Sequence, residues 1–347
     1  MATKTQKRGA LRPGDFSPRA IAALFVLLSI VAAVPVLTHP LVPLGDYANH
    51  LARMHVISTI GSDPLLARFY EIEWAVIPNL IMDLVVPVLE RFMNIYAAGQ
   101  IFVISIFVLT LSGTLALNRA LYGYWSAMPL ISFPLLYNGV LLVGVMNYLF
   151  GVGVALWALA SWIGLCDRAW PLRYFMSLLF VLLLFFCHLF AVGVYGVGLL
   201  AFEMYRQWQT PGKLTTRRYL EFMSAGLPFL VVLPLLYLSP TLQLVSTISW
   251  EADGKVDGIK LVFETYYDLI AIILAAIGSL VTFWRSPGGP IASATVATTL
   301  PGPSSRTSCS APTRLRPDDV PAKMPSSFAA RLAIARASAS SIARASS

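Results

Sequence analysis

Charge is what this chain has least of. Only 12% of its 347 residues are Asp, Glu, Lys or Arg, while 57% are apolar and the mean hydropathy is +0.71. A soluble domain carries about 25% charged residues. The shortage excludes a water-facing globule and requires most of the surface to meet lipid. Cysteine is scarce as well. Cys166, Cys187 and Cys309 stand far apart without zinc-ligand spacing, so small core residues are expected and no disulfide framework is. Dinucleotide chemistry is excluded too, because Gly151-Val-Gly153 and Gly196-Val-Gly198 lie inside apolar runs and open no βαβ unit. Close helix packing explains those glycines better.

A net charge of +8 could point to nucleic acid, but its distribution does not. Residues 285–347 account for +6 of it, and the rest of the chain for only +2. No basic stripe is interleaved with aromatics as a nucleic-acid groove needs. Nucleic acid is therefore not an expected partner; membrane lipids are.

What is present is a series of long apolar runs. A basic head of residues 1–19, with Lys4, Lys7, Arg8, Arg12 and Arg19 against Asp15, precedes the run Ala20 to Leu37. That run crosses a bilayer at about 1.5 Å per residue, and Pro35-Val-Leu-Thr-His39-Pro40 after it lacks a signal-peptide exit, so an uncleaved anchor is expected. The basic head predicts a cytoplasmic N-terminus. Further spans are predicted at 77–94, 97–117, 124–142, 146–165, 174–203, 220–240 and 262–284, the 174–203 stretch being long enough to tilt or to break near His188. The fold class is then all-α, a polytopic transmembrane bundle of about eight spans. Arg206, Lys213, Arg217 and Arg218 suit a cytoplasmic loop in this scheme, whereas Arg119, Arg168 and Arg173 fall on the outer side against the usual bias. The transmembrane domain runs over residues 20–284. From 285 to 347 an Ala/Ser/Pro/Arg-rich tail follows, with Phe328 its sole aromatic, and it is expected to be disordered. A shift of reading frame in a GC-rich gene would give such a bias, and resequencing independent clones tests that origin.

The outer loop 39–75 holds the most informative segment, Pro43-Leu-Gly-Asp46-Tyr-Ala-Asn49-His50-Leu-Ala-Arg53. Asp46 predicts an N-cap and Gly61 a stop for a short amphipathic helix over 47–60, and Asp63-Pro64 predicts a second start. At 100° per residue, Asp46, Asn49, His50 and Arg53 share one arc of roughly 100°, while Tyr47, Leu51 and Met54 face elsewhere. A carboxylate can take a proton from an acceptor hydroxyl, and a guanidinium can pair bidentately with a phosphate beside an imidazole donor. A plainer reading fits the same residues: Asp46 only caps the helix while His50 and Arg53 line a solvated face. Asp83, in Pro78-Asn79-Leu-Ile-Met-Asp83, is an acid inside an apolar run, where lipid burial costs on the order of 2.5–3.5 kcal/mol, so it is expected to face the bundle interior. His188 reads as a helix-packing hydrogen bonder, and the stretch Trp250-Glu251-Ala-Asp253-Gly-Lys255-Val-Asp257 as an outer connector able to border a sugar pocket.

The Gly45-Asp46-Tyr47-x-Asn49-His50-Leu51-x-Arg53 wording in the first outer loop resembles that of multi-pass bacterial membrane proteins related to the GT-C superfamily of integral-membrane glycosyltransferases. The stretch Gly144-Val-Met-Asn147-Tyr148-Leu-Phe-Gly151-Val-Gly153 resembles a second segment of theirs. The resemblance implies a bacterial inner-membrane enzyme that moves a sugar from a polyprenyl-phosphate carrier to an acceptor at the outer surface, with Asp46 as the catalytic acid-base residue. Asn49, His50, Arg53, Asn79 and Asp83 would then be substrate-binding or supporting groups. It also brings a divalent metal into consideration, although no Asp-Asp or Asp-x-Asp pair stands at the site. Two other classes fit the composition: a lipid or small-molecule transporter or flippase, and a non-catalytic membrane subunit.

Overall fold

The computed structural model describes residues 16–240 other than 167, 169 and 210–214. The expected span 262–284, the Trp250 loop, the basic head before residue 16 and the tail lie outside these residues. Within them the chain is all-α, with no strand. Among the described residues six helices are long and apolar enough to cross a membrane, so the protein is a multi-pass integral membrane protein.

The first is α1, Pro18–Leu37, where Ser17 Oγ accepts from Ala20 N (3.2 Å) and Pro18 sits at the first helical position. The loop helix α2, Tyr47–Thr59, matches the span expected from its periodicity. A 3₁₀ turn at Leu66–Arg68 follows, started by Asp63 Oδ1, which accepts from Leu65 N at 2.8 Å. Next come α3, Ile81–Glu90, and α4, Ile95–Tyr122, the latter opened by Asn94 and ended by Gly123 at φ 74°. After α4 the chain runs through a 3₁₀ segment, Met128–Leu135, into the short α5, Gly139–Val143. Then α6, Met146–Gly164, α7, Trp170–Cys187, and α8, Leu189–Gln209, follow in quick succession. The last described crossing, Arg218–Leu238, combines α9, Thr216–Ser224, a 3₁₀ turn and α10, Val232–Leu238.

Three expectations are corrected here. The stretch 77–94 is no span: α3 has 10 residues, about 15 Å of rise against a hydrocarbon core near 30 Å. Pro78 and a left-handed Asn79 (φ 72°) precede it, so the helix cannot begin earlier. The loop that opens at residue 39 accordingly extends past residue 75 to Asn94. The stretch 124–142 is no continuous helix either, because Pro129 and Pro134 hold it in 3₁₀ form. It still threads the bundle, since Tyr137 Oη donates to Ala32 O (2.6 Å) and its ring meets Phe107. Irregular backbone at that depth is tolerated where protein encloses it.

The stretch 174–203 is two spans, not one. Ser177 Oγ and Tyr195 Oη lie 2.8 Å apart and Arg173 Nη2 donates to Glu203 Oε1 (2.9 Å), so α7 and α8 run antiparallel from a turn at His188. His188 Nδ1 accepts from Phe190 N (3.1 Å) and caps α8.

Helix directions follow from the contacts. Phe102 stacks on Phe150 and Trp157 Nε1 donates to Ser112 Oγ, so α4 and α6 are parallel. Their approach is close because Gly153 has no side chain; a Cβ there would stand 2.7 Å from Leu109 Cβ. Gln100 Nε2 bonds Val36 O and His39 O (3.0 and 2.9 Å) and joins the end of α1 to the start of α4. One end of the bundle thus gathers Arg19, Arg119, Arg168, Arg173, Arg206 and Arg218, and the other gathers the 39–94 loop, α5 and the His188 turn. Arg119, Arg168 and Arg173 therefore share an end with Arg206, which corrects the expectation that they lie opposite it. Cys187 is a free, buried cysteine as expected.

Candidate functional site

The site grows out of α2. Tyr47, Leu51 and Met54 are fully or almost fully buried against the neighbouring helices, which turns the opposite arc outward. The Tyr47 phenol is pushed up to about 12 by burial and stays neutral. Asp46 occupies the position before the helix, but its carboxylate makes no cap: it turns outward, with 53% of the side chain exposed. Its Oδ1 accepts from Asn49 Nδ2 (2.8 Å) and its Oδ2 lies 3.2 Å from His50 Nε2.

Donor logic fixes the next link. Arg53 Nη2 lies 3.2 Å from His50 Nδ1, and a guanidinium can only donate. His50 therefore accepts at Nδ1, carries its proton on Nε2 and donates to Asp46. The ring is held below its ordinary value near 6.5 by burial first and by the Arg53 charge second, with Asp46 and Asp83 opposing in part. A neutral ring agrees with that hydrogen-bond order.

Asp83 completes the row. It lies in the first turn of α3, 4% exposed, and both its oxygens are taken by Arg53: Nε to Oδ1 at 2.7 Å and Nη2 to Oδ2 at 2.9 Å. The Nε–Nη2 edge of Arg53 is thus spent inside the protein. Arg53 is 47% exposed, and Nη1 remains as the edge for an anion.

The segment 142–147 supports both ends of this row. Gly45 N donates to Leu142 O (2.7 Å) and Asp46 N to Val143 O (3.1 Å). Gly144, at φ 95°, passes directly under Asp46; a Cβ there would meet Asp46 N at 2.6 Å. Asn147 is 2% exposed, its Oδ1 accepting from Met82 N (3.0 Å) and its Nδ2 donating to Asn79 O (2.9 Å). Asn79 therefore enters through its backbone. The two quoted motifs, about a hundred residues apart in sequence, meet in space.

Sequence reasoning assigned no role to Gly144 or Asn147 within the site. It also missed Glu90, which pairs with His55 Nδ1 (2.9 Å) and accepts from Ser58 on the far side of α2. No spacing signal links such distant positions. Among the described residues no group of three His, Cys, Asp or Glu is arranged to hold a metal ion. Asp46 and His50 bond each other, and Asp83 is neutralised by Arg53, so this donor set does not fit a divalent cation.

No family model matches the chain, and neither a curated protein nor a solved structure does. Fold and site together define a class, a multi-pass α-helical membrane protein with a polar row at one end of its bundle.

Proposed function

We propose that the protein is a membrane glycosyltransferase-like enzyme that moves a sugar from a polyprenyl-phosphate carrier to an acceptor at the outer membrane surface. The observation that carries this reading is the unbroken row Asn49–Asp46–His50–Arg53–Asp83, anchored on the buried Asp83 and presenting the exposed carboxylate of Asp46. In it Asp46 accepts the proton of the acceptor hydroxyl as that oxygen attacks the sugar carbon. Asn49 and His50 each hold one carboxylate oxygen and aim the remaining lone pairs outward. Arg53, pinned by Asp83, offers Nη1 to the phosphate that leaves with the carrier lipid.

The orientation belongs to the same proposal. Basic residues collect at the bundle end away from the row, and cytoplasmic ends carry the Lys/Arg excess. The N-terminus then lies in the cytoplasm and the site on the outer face, in a bacterial inner membrane by the resemblance. The test is Asp46→Asn in a transfer assay with a polyprenyl-phosphate sugar. Loss of product at unchanged membrane level is expected; retained transfer sinks the role of Asp46.

A second reading, transport of a lipid or small molecule, draws on a different place. A cavity of about 250 Å³ lies between α8 and the segment after α9, bordered by Leu199, Glu203 and Phe229. Glu203 is buried within a span and paired with Arg173 and Arg206. Flux without covalent product in proteoliposomes would favour that reading.

A further inference from the structure

We infer that Asn147 is a positioning residue for the site: from the first turn of α6 it caps α3 and thereby sets where Asp83 stands. The inference deepens the transferase reading and rests on it only for its kinetic arm.

The first four N–H groups of a helix have no partner within it. α3 starts after Leu80, whose side chain cannot accept a hydrogen bond, and α3 has no side-chain cap of its own. Leu80 N is satisfied from α7, by Phe186 O at 2.7 Å. Met82 N is satisfied from α6, by Asn147 Oδ1 at 3.0 Å. The other half of the same amide donates to Asn79 O (2.9 Å), across the left-handed residue that turns the chain into α3. One buried amide therefore spans the start of α3, and Asp83 is the next residue after Met82.

From Asp83 the constraint passes through rigid contacts. Two hydrogen bonds fix the Arg53 plane, Arg53 sets the His50 tautomer, and His50 with Asn49 sets the Asp46 carboxylate. Four residues before Asn147, Val143 O holds Asp46 N at 3.1 Å, and Gly144 leaves room for that approach. Both ends of the row are thus referred to one segment of chain. A leucine at 147 keeps the γ-branched shape of asparagine, though it is bulkier, and has none of its hydrogen bonds, so it frees the start of α3. Arg53 then gains freedom to leave His50.

The test uses full-length protein with ¹⁵N-labelled histidine in detergent micelles, following each imidazole as pH changes. His50 is faced by Asp46, Arg53 and Asp83, and His39, at the end of α1, serves as the reference ring. In Asn147→Leu the His50 titration is expected to move up toward the ordinary histidine value while His39 stays in place. Asn147→Asp, which keeps an acceptor for Met82 N, is expected to move it less. A merely stabilising residue would lower the melting temperature and leave the His50 titration where it was. An unmoved His50 in folded Asn147→Leu overturns the proposal; should that variant not reach the membrane, an unmoved His50 in Asn147→Ala does so. In the transfer assay Asn147→Leu is expected to lose about 10- to 100-fold in kcat, with part regained in Asn147→Asp. A wild type that makes no product removes the transferase reading and leaves the positioning claim to the ring titration.

Discussion

Arg53 and Asp83 face each other edge to edge, Nε on Oδ1 at 2.7 Å and Nη2 on Oδ2 at 2.9 Å, with the carboxylate buried and the guanidinium half exposed. This pair joins the loop helix to α3 and makes Arg53 a rigid part of the site instead of a mobile surface cation.

Geometry of this kind separates arginine from lysine. Arg53→Lys keeps the charge and loses the fork, so Asp83 retains one donor instead of two. The expected cost is about 1 kcal/mol, and Arg53→Ala, which strands a buried carboxylate, is expected to cost about 1–3 kcal/mol after allowing for the exposure of Arg53. Thermal unfolding in detergent measures both, and equal stability of the three proteins would contradict the pairing.

His50 gives the protein a pH dependence with a defined sign. Its folded-state value lies below 6.5, so the unfolded chain binds the proton first as pH falls. The stability this ring contributes is complete above 6.5, begins to be lost below it, and is gone once pH has fallen through the lower folded-state value. Melting temperatures measured from pH 8 down to pH 5.5 are expected to fall more steeply in wild type than in His50→Gln. Parallel slopes would remove His50 as the source.

Gly144 is expected to reject any side chain. Alanine there must adopt φ 95° and push its Cβ against the Asp46 backbone. Backbone strain of this kind costs about 1–3 kcal/mol, and the displaced Asp46 should lose activity beyond the loss of stability. Gly164→Ala is the control, because no atom lies within 4 Å of a Cβ there. Comparable behaviour of the two variants would refute the close approach.

At the basic end, Glu203 accepts from Trp162 Nε1 (2.8 Å) and from Arg173 Nη2 (2.9 Å), and Arg173 also lies over the Trp162 ring at 3.7 Å. Glu203→Ala leaves Arg173 buried with its cation uncompensated, at a cost of about 3–5 kcal/mol. Transfer per folded molecule is expected to stay normal, since the site lies at the opposite end of the bundle. Selective loss of transfer with unchanged stability would instead tie this network to function.

The amino-acid sequence alone determined what depends on near neighbours. Charge scarcity and apolar run length dictate a lipid-facing helical protein, and the 3.6-residue period of 47–60 dictates both the loop helix and the shared arc of Asp46, Asn49, His50 and Arg53. The position of Asp46 before that helix was also readable; that its carboxylate leaves the cap for Asn49 and His50 was not.

Only the tertiary structure decided what depends on helix direction. Hydropathy reports how deep a residue lies but not which way its helix runs, so the length of 174–203 allowed a tilt or a break near His188 and could not choose between them. The Ser177–Tyr195 and Arg173–Glu203 contacts make it a hairpin. The same holds for 77–94, where a short helix can stop at Leu80 because Asn147 and Phe186 satisfy its first N–H groups from two other helices. Arg53 meets Asp83, and Gly144 meets Asp46, for that reason: these partners are set by how helices pack, and no local pattern in the chain encodes them.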